Sequence, residues 1–299
     1  MAMSFLNTMI SIYEKQNEDK LIKCLFAQRK EYTFVKRLKS IKIFVSVVLV
    51  TILTVLDGIF QNDMLSSMLT LSTIILLIFT KYFDNFVAKH QRYAARIQQY
   101  IDATCFNCVS GQKLISEKNI FVDSEIAEII SSVKLEDCSK VRNWYSNYSK
   151  LSAYKQILFS QKENIRWDRK VRIYCCRILK IFMALIFLGI VFYGIILDEK
   201  FNQLMRYSSF LLIIVDCLLD SIHKLTEDVK RLEKMSIKLN NLERLQEENL
   251  EDVVGFQDII YEHRQQCFLI PDFIYSLRKR NYQKSENMIA MDLINKKNS

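Results

Sequence analysis

Long uncharged apolar runs alternate along this chain with densely charged stretches, and four of the runs have the length of a membrane-crossing helix. The first extends from about 41 to 60 and holds no charged residue between Ile43 and Leu56. The second, 64 to 80, reads MLSSMLTLSTIILLIFT, and the third, 181 to 197, reads IFMALIFLGIVFYGIIL. Each can cross ~30 Å of hydrocarbon once a few flanking residues join the helix. The fourth, about 204 to 222, is weaker because Asp216 and Asp220 interrupt it. Its place directly after the connection DEKFNQ makes it the return limb of a hairpin, since a lone third span would leave the charged C-terminal region outside. The first two runs are joined by the equally short DGIFQND.

Past the fourth run, from Tyr207 to Leu250, there is neither Pro nor Gly, and Leu225, Val229, Leu232, Met235, Leu239, Leu242 and Leu245 recur every three or four residues. This period predicts one continuous helix of ~65 Å at 1.5 Å per residue. It could serve as a lever between a cytosolic ligand and the membrane, as a packed amphipathic helix, or as a self-association seam. Segment 123 to 134 is predicted helical, and Pro271, the only proline, is predicted to open a final helix or turn.

Composition narrows the class. With Gly 5 and Pro 1 in 299 residues, strand-rich folds lack the residues for their turns. The expected fold is an all-α membrane protein, with four transmembrane helices in two hairpins and a helical cytosolic domain built from the N-terminal, middle and C-terminal segments. The expected divisions are a cytosolic segment 1–40, hairpin 41–83, middle region 84–177, hairpin 178–222, and a cytosolic extension 223–299.

Charge sets the orientation. Segment 1–40 carries eight Lys/Arg against four Asp/Glu, 84–177 sixteen against ten, and 221–299 thirteen of each, while DGIFQND has no Lys or Arg. The positive-inside bias then places both termini and the middle region in the cytoplasm, beneath a membrane crossed several times. The polar first forty residues argue against a cleavable signal peptide. On that side Cys24, Cys105, Cys108, Cys138 and Cys267 are expected to be reduced. Cys105 and Cys108 form a CxxC without a second pair at zinc spacing, so packing is the expected role and no metal or cofactor is expected. Cys175 and Cys176, at the cytoplasmic mouth of the third run, suit packing or palmitoylation.

Candidate chemistry lies in two places. Asp216 and Asp220, four residues apart on one helical face, would form acidic rings if copies surrounded a pore. An ionisable group inside a span costs at least ~2.5 kcal/mol unless it meets a cavity or a partner. The alternative is that Asp220 reaches the headgroups and Asp216 pairs with Lys180 or a nearby base. Thr70 and Thr73 of the second run and Ser208 of the fourth are further pore-lining candidates, or helix-packing contacts. The second place is cytosolic, where aromatics interleave with bases around Arg29, Lys36 and Arg37, around Arg92 and Arg96, around Trp144, and around Arg166, Trp167, Arg169 and Arg172. Stacking plus phosphate neutralisation is what a nucleotide or single-stranded oligonucleotide site needs; an interfacial aromatic-basic belt has the same composition. No Gly-rich phosphate loop, GxSxG or HExxH occurs, and no catalytic role is expected.

The strings LFAQRKEYTFVKRLK (25–39), ARIQQYID (95–102), NWYSNY (143–148), QKENIRWDRKVRIY (161–174) and IPDFIYSLRKRNYQKSENMIA (270–290), arranged around two membrane hairpins, resemble the four-transmembrane pore-forming effectors that accompany bacterial SMODS-type nucleotidyltransferases. The most specific parts are QxENxxWDxxxR, at Gln161, Glu163, Asn164, Trp167, Asp168 and Arg172, and IPxxIY, at Ile270, Pro271, Ile274 and Tyr275. The resemblance implies a homo-oligomeric anti-phage channel in the lipid bilayer. A companion nucleotidyltransferase's product would gate it, a cyclic oligonucleotide opening it or, as in Hailong-type systems, a single-stranded DNA oligomer holding it shut. Arg29, Lys36, Arg37, Arg92, Arg96, Arg166, Arg169 and Arg172 would neutralise phosphates, with Trp144 and Trp167 as stacking platforms. Asn164, Trp167 and Asp168 could instead fix the start of the third span. A membrane-anchored scaffold without a pore and a membrane-disrupting toxin are the competing readings.

Overall fold

A computed structural model of the chain describes residues 10–60, 63–111, 121–196, 211–245 and 247–298. Among these residues there is no strand. The helices are α1 (Ile12–Lys15), α2 (Asp19–Phe60), α3 (Asp63–Ser110), α4 (Asp123–Ser131), α5 (Ala153–Ile196), α6 (Leu211–Arg244), α7 (Leu250–Gln266) and α8 (Asp272–Asn298), with a 3₁₀ turn at Leu135–Val141.

Two long helical pairs organise the molecule. α2 lies along α3, and α5 lies along α6. The scarcity of Gly and Pro is what lets α2, α3 and α5 continue without a break from polar sequence into apolar sequence. Of the DGIFQND connection only 61 and 62 lie between the two helices, since α2 runs through Phe60 and α3 starts at Asp63. The second connection and residues 204 to 210 of the fourth run, Ser208 included, fall outside the described residues.

On α2, α3 and α5 the buried positions lie in the polar half, while large apolar residues of the apolar half are exposed. Phe44 and Ile52 on α2, Leu71, Ile75 and Phe79 on α3, and Phe187, Phe192 and Ile195 on α5 are all exposed. Among the described residues one helix, α5, contains an 18-residue window long and apolar enough to cross a membrane, and none of that window is buried. A core helix of a water-soluble domain would hide such a surface.

The polar halves, with α1, α4, α7 and α8, enclose the head. Its main core joins Leu21, Ile22 and Leu25 of α2, Ile97, Ile101 and Phe106 of α3, Ile157 and Leu158 of α5, Leu232 and Leu239 of α6, and Val253 and Phe256 of α7. The periodic stripe of α6 is thus an intramolecular packing face. The predicted continuous helix ends early, however, at Arg244, and Asn249 caps a new one by accepting a hydrogen bond from the Glu251 N–H at 3.0 Å. Acidic and amide residues supply that break without Gly or Pro. The middle region is helical in α4 but not at NWYSNY, where Asn143 takes a left-handed φ of 56°. Pro271 precedes α8 directly, as expected.

Candidate functional site

The polar half of α5 is a spine whose side chains reach several other segments. Positions 161, 164, 168 and 172 recur at helical spacing on one face. Gln161 donates to the Val253 carbonyl (2.8 Å) and to Gln257 (3.2 Å) of α7. Asn164 donates to the Tyr145 hydroxyl (2.8 Å), which itself donates to Asp102 of α3 (2.6 Å). Arg172 donates to Asp168 (2.9 Å), to Asp228 of α6 (2.7 Å) and to the Phe268 carbonyl (2.9 Å), and His263 of α7 lies 3.2 Å from Asp168. The adjacent face holds α8: Arg166 is paired with Glu286, Lys170 is 3.5 Å from it, and Trp167 meets Tyr282 edge-on at 5.6 Å.

Electrostatics follow from burial and pairing. Burial works against the Asp168 carboxylate, but the Arg172 and His263 charges outweigh it and hold its pKa well below the usual carboxylate range. Glu163 goes the other way. Burial pushes it up to about 7, although the Ser146 N–H and hydroxyl (3.0 Å each) and the Tyr148 hydroxyl (3.2 Å) favour its charged form. Asp102 is fully buried and accepts from Arg264 (2.6 Å), Gln257 (2.9 Å) and Tyr145. An unpaired buried charge costs several kcal/mol, so these pairs fix the register of α3, α5, α6 and α7.

A short non-helical connection, 267–271, lies between α7 and α8. Gln91 of α3 donates to the Cys267 carbonyl (2.8 Å), and the Phe268 N–H donates to Asp228 (2.8 Å). The Lys39 ammonium of α2 stands 3.9 Å from the Phe268 ring centroid, and burial lowers its pKa to about 8. On the next turn of α2, Thr33 (2.9 Å) and Lys36 (2.7 Å) reach Asp272 at the start of α8.

This geometry separates the ten candidate ligand residues. Arg166, Arg169 and Arg172 are engaged with Glu286, Glu233 and the Asp168–Asp228 pair. Trp167 packs against Tyr282, Lys36 bridges to Asp272 over the Tyr275 ring, and Arg96 covers Phe121 at 4.1 Å. Arg29, Arg37, Arg92 and Trp144 are exposed. The structure therefore does not gather the ten into one pocket, and the α5 cations, expected to meet phosphate, are occupied by internal carboxylates. Trp167 and Asp168 make intramolecular contacts, with Tyr282 and with Arg172 and His263 respectively.

Among the described residues no group of three or more His, Cys, Asp or Glu could hold a metal. All eight cysteines are free thiols, and Cys105 is fully buried in the α3 core face, which raises its pKa well above that of an ordinary thiol.

Residues 10–293 match the family described as the SMODS-associating 4TM effector domain. The chain belongs to this family. A Bacillus cereus (strain VD146) protein named a probable CBASS effector molecule is 24% identical over 292 residues, which cover 94% of this chain and 96% of that protein. No solved structure matches the chain. The SMODS-associating 4TM effector domain is a membrane effector domain rather than a known catalytic family.

In this 4TM effector the acidic face of α6 lies within the described residues. Asp216 and Asp220 are both exposed. Asp220 pairs with Lys224 at 2.7 Å, whereas Asp216 has no ion-pair or hydrogen-bond partner among the described residues. Thr70 and Thr73 belong to α3. Sequence reasoning missed the buried polar set of α3, Gln91, Gln99 and Asp102, although its signal was present: an acid and amides at helical spacing beside Ile97, Ile101 and Cys105.

Proposed function

We propose that this chain is the channel-forming effector of an anti-phage signalling system, a homo-oligomer in the bacterial inner membrane with both termini and the head in the cytoplasm. The observation that carries the reading is Asp216, an exposed carboxylate without a described partner in the apolar stretch of α6. In lipid it would cost at least ~2.5 kcal/mol, and a water-filled path between copies removes that cost. Four spans arranged as two hairpins are supported by the family's 4TM description and by the exposed apolar residues of α2, α3 and α5.

The signal is a nucleotide or single-stranded oligonucleotide made by a companion nucleotidyltransferase. The family description and the relative's name as a probable CBASS effector support such a partner. Its phosphates meet the exposed cations Arg29 and Arg37 of α2 and Arg92 of α3, and Trp144 offers a stacking surface. To switch the channel almost fully, ligand must bind one state ~5.5 kcal/mol more tightly than the other.

The test is potassium flux from liposomes containing the purified protein, with and without the reaction product of the companion enzyme. Flux suppressed by the product identifies a ligand-closed channel, and flux that appears only with the product identifies a ligand-opened one. No flux in either condition, with insertion verified, returns the chain to the scaffold reading.

A further inference from the structure

The two helical pairs meet around Phe268, Leu269 and Ile270. Cys267 leads into this segment with extended backbone (φ −66°, ψ 154°), and in extended chain successive side chains point to opposite sides. Leu269 enters the α2–α3 pair, in a cluster with Val35 and Val87 bordered by Tyr32, Leu38 and Phe83. Ile270 and Phe268 enter the α5–α6 pair, in a cluster with Val171, Cys175, Cys176 and Leu225. Leu269 and Ile270 are 7% and 1% exposed, so both sides are filled.

Polar contacts hold the same segment from all four long helices. Gln91 of α3 takes the Cys267 carbonyl, Arg172 of α5 the Phe268 carbonyl, Asp228 of α6 the Phe268 N–H, and Lys39 of α2 covers the Phe268 ring. These contacts lie just below the membrane. Val35 precedes the first apolar run by six residues, or ~9 Å of helix, and Cys176 precedes the third by five.

We propose that Phe268–Leu269–Ile270 is a wedge that sets the position of one hairpin relative to the other, so that displacement of α7 or α8 moves the spans. The proposal rests on the channel reading. α7 and α8 are joined only through this wedge, and α8 is anchored to α5 by Glu286 and to α2 by Asp272. A shift of either helix therefore pulls on a segment packed on both sides, beside the direct contacts that α7 makes with α3 and α5. Packed interfaces respond to such shifts by switching between discrete arrangements.

The test locks the wedge to α3. The Gln91 side-chain nitrogen lies 4.0 Å from the Cys267 sulfur, so Gln91→Cys can be joined to the native Cys267 by a short bis-methanethiosulfonate reagent, with the linked peptide verified by mass spectrometry. Single-channel records are then taken in planar bilayers with and without the reaction product of the companion enzyme. Locked protein should show open–closed transitions reduced about tenfold or more, restored by dithiothreitol, while reagent-treated wild type is unchanged. Lys39→Met, which keeps the stem over Phe268 and deletes the charge, should shift open probability about threefold or more. Unaltered transitions after a verified cross-link, in a wild type that conducts, would overturn the wedge and leave the channel standing. A wild type that inserts and conducts neither with nor without that product removes the channel reading itself, and the wedge with it.

Discussion

The aromatic-basic strings of α2 and α5 look alike as sequence, and the fold puts them to opposite uses. On α5, Arg166, Arg169 and Arg172 face Glu286, Glu233, Asp168 and Asp228, so their charge is internal bonding. On α2, Arg29 and Arg37 are exposed, two turns apart on one helix. Arg172 is buried between Asp168 of its own helix, Asp228 of α6 and the Phe268 carbonyl, whereas Arg29 and Arg37 are exposed on α2. Basic residues near a membrane thus divide into those that assemble the head and those left to meet lipid or ligand, and the division depends on where the acids fold.

The largest expected effect breaks the α5 side of this contrast. Arg172→Met leaves the buried Asp228 without its cation and should cost about 3–5 kcal/mol of stability, seen as a lower unfolding midpoint in detergent. Arg37→Met on α2 should stay within about 0.5 kcal/mol. Next comes a double-mutant cycle. Coupling between Arg166 and Glu286, whose carboxylate is fully buried, should be about 1–3 kcal/mol. Between Lys20 of α2 and Asp123, an exposed pair at 2.6 Å, it should be below about 1 kcal/mol.

Glu163 gives the pH dependence. Its pKa is raised to about 7 by burial, from an ordinary 4.5. The folded chain therefore holds a proton that the unfolded chain releases, and the stabilisation is full below pH 4.5 and is lost as pH rises through about 7. The unfolding free energy should fall between pH 5 and 8 by an amount on the order of 2–3 kcal/mol, and Glu163→Gln should flatten that slope. The smallest effect sharpens the α2 side. With a decamer of deoxythymidylate as probe, Arg29→Ala and Arg37→Ala should each reduce the salt dependence of binding by about 0.7 in the log–log slope. Arg169→Ala, already paired with Glu233, should leave the slope unchanged.

Much of the architecture could be read from periodicity alone. The polar-to-apolar changes along α2, α3 and α5, the stripe Leu225–Leu232–Leu239, and Pro271 at the head of α8 are local patterns, and local patterns survive folding. The break between Arg244 and Asn249 was hidden because a side-chain cap, rather than Gly or Pro, makes it. The fate of the α5 arginines was hidden for a different reason. Asp228 and Glu286 are 56 and 120 residues from the bases they neutralise, and no spacing rule spans that separation. The wedge lay in the same blind spot: CFLIP reads as a short apolar run before a proline, and only the two flanking pairs give its alternation meaning.

The most direct test of a cation path along α6 is the reversal potential of purified protein in a planar bilayer under a tenfold potassium chloride gradient. With Asp216 facing the path, wild type should reverse near the potassium equilibrium potential, about 59 mV in magnitude for a tenfold gradient, and Asp216→Asn should move that value substantially toward zero. Equal reversal potentials for the two proteins, or no conductance from verified inserted wild type, would contradict it.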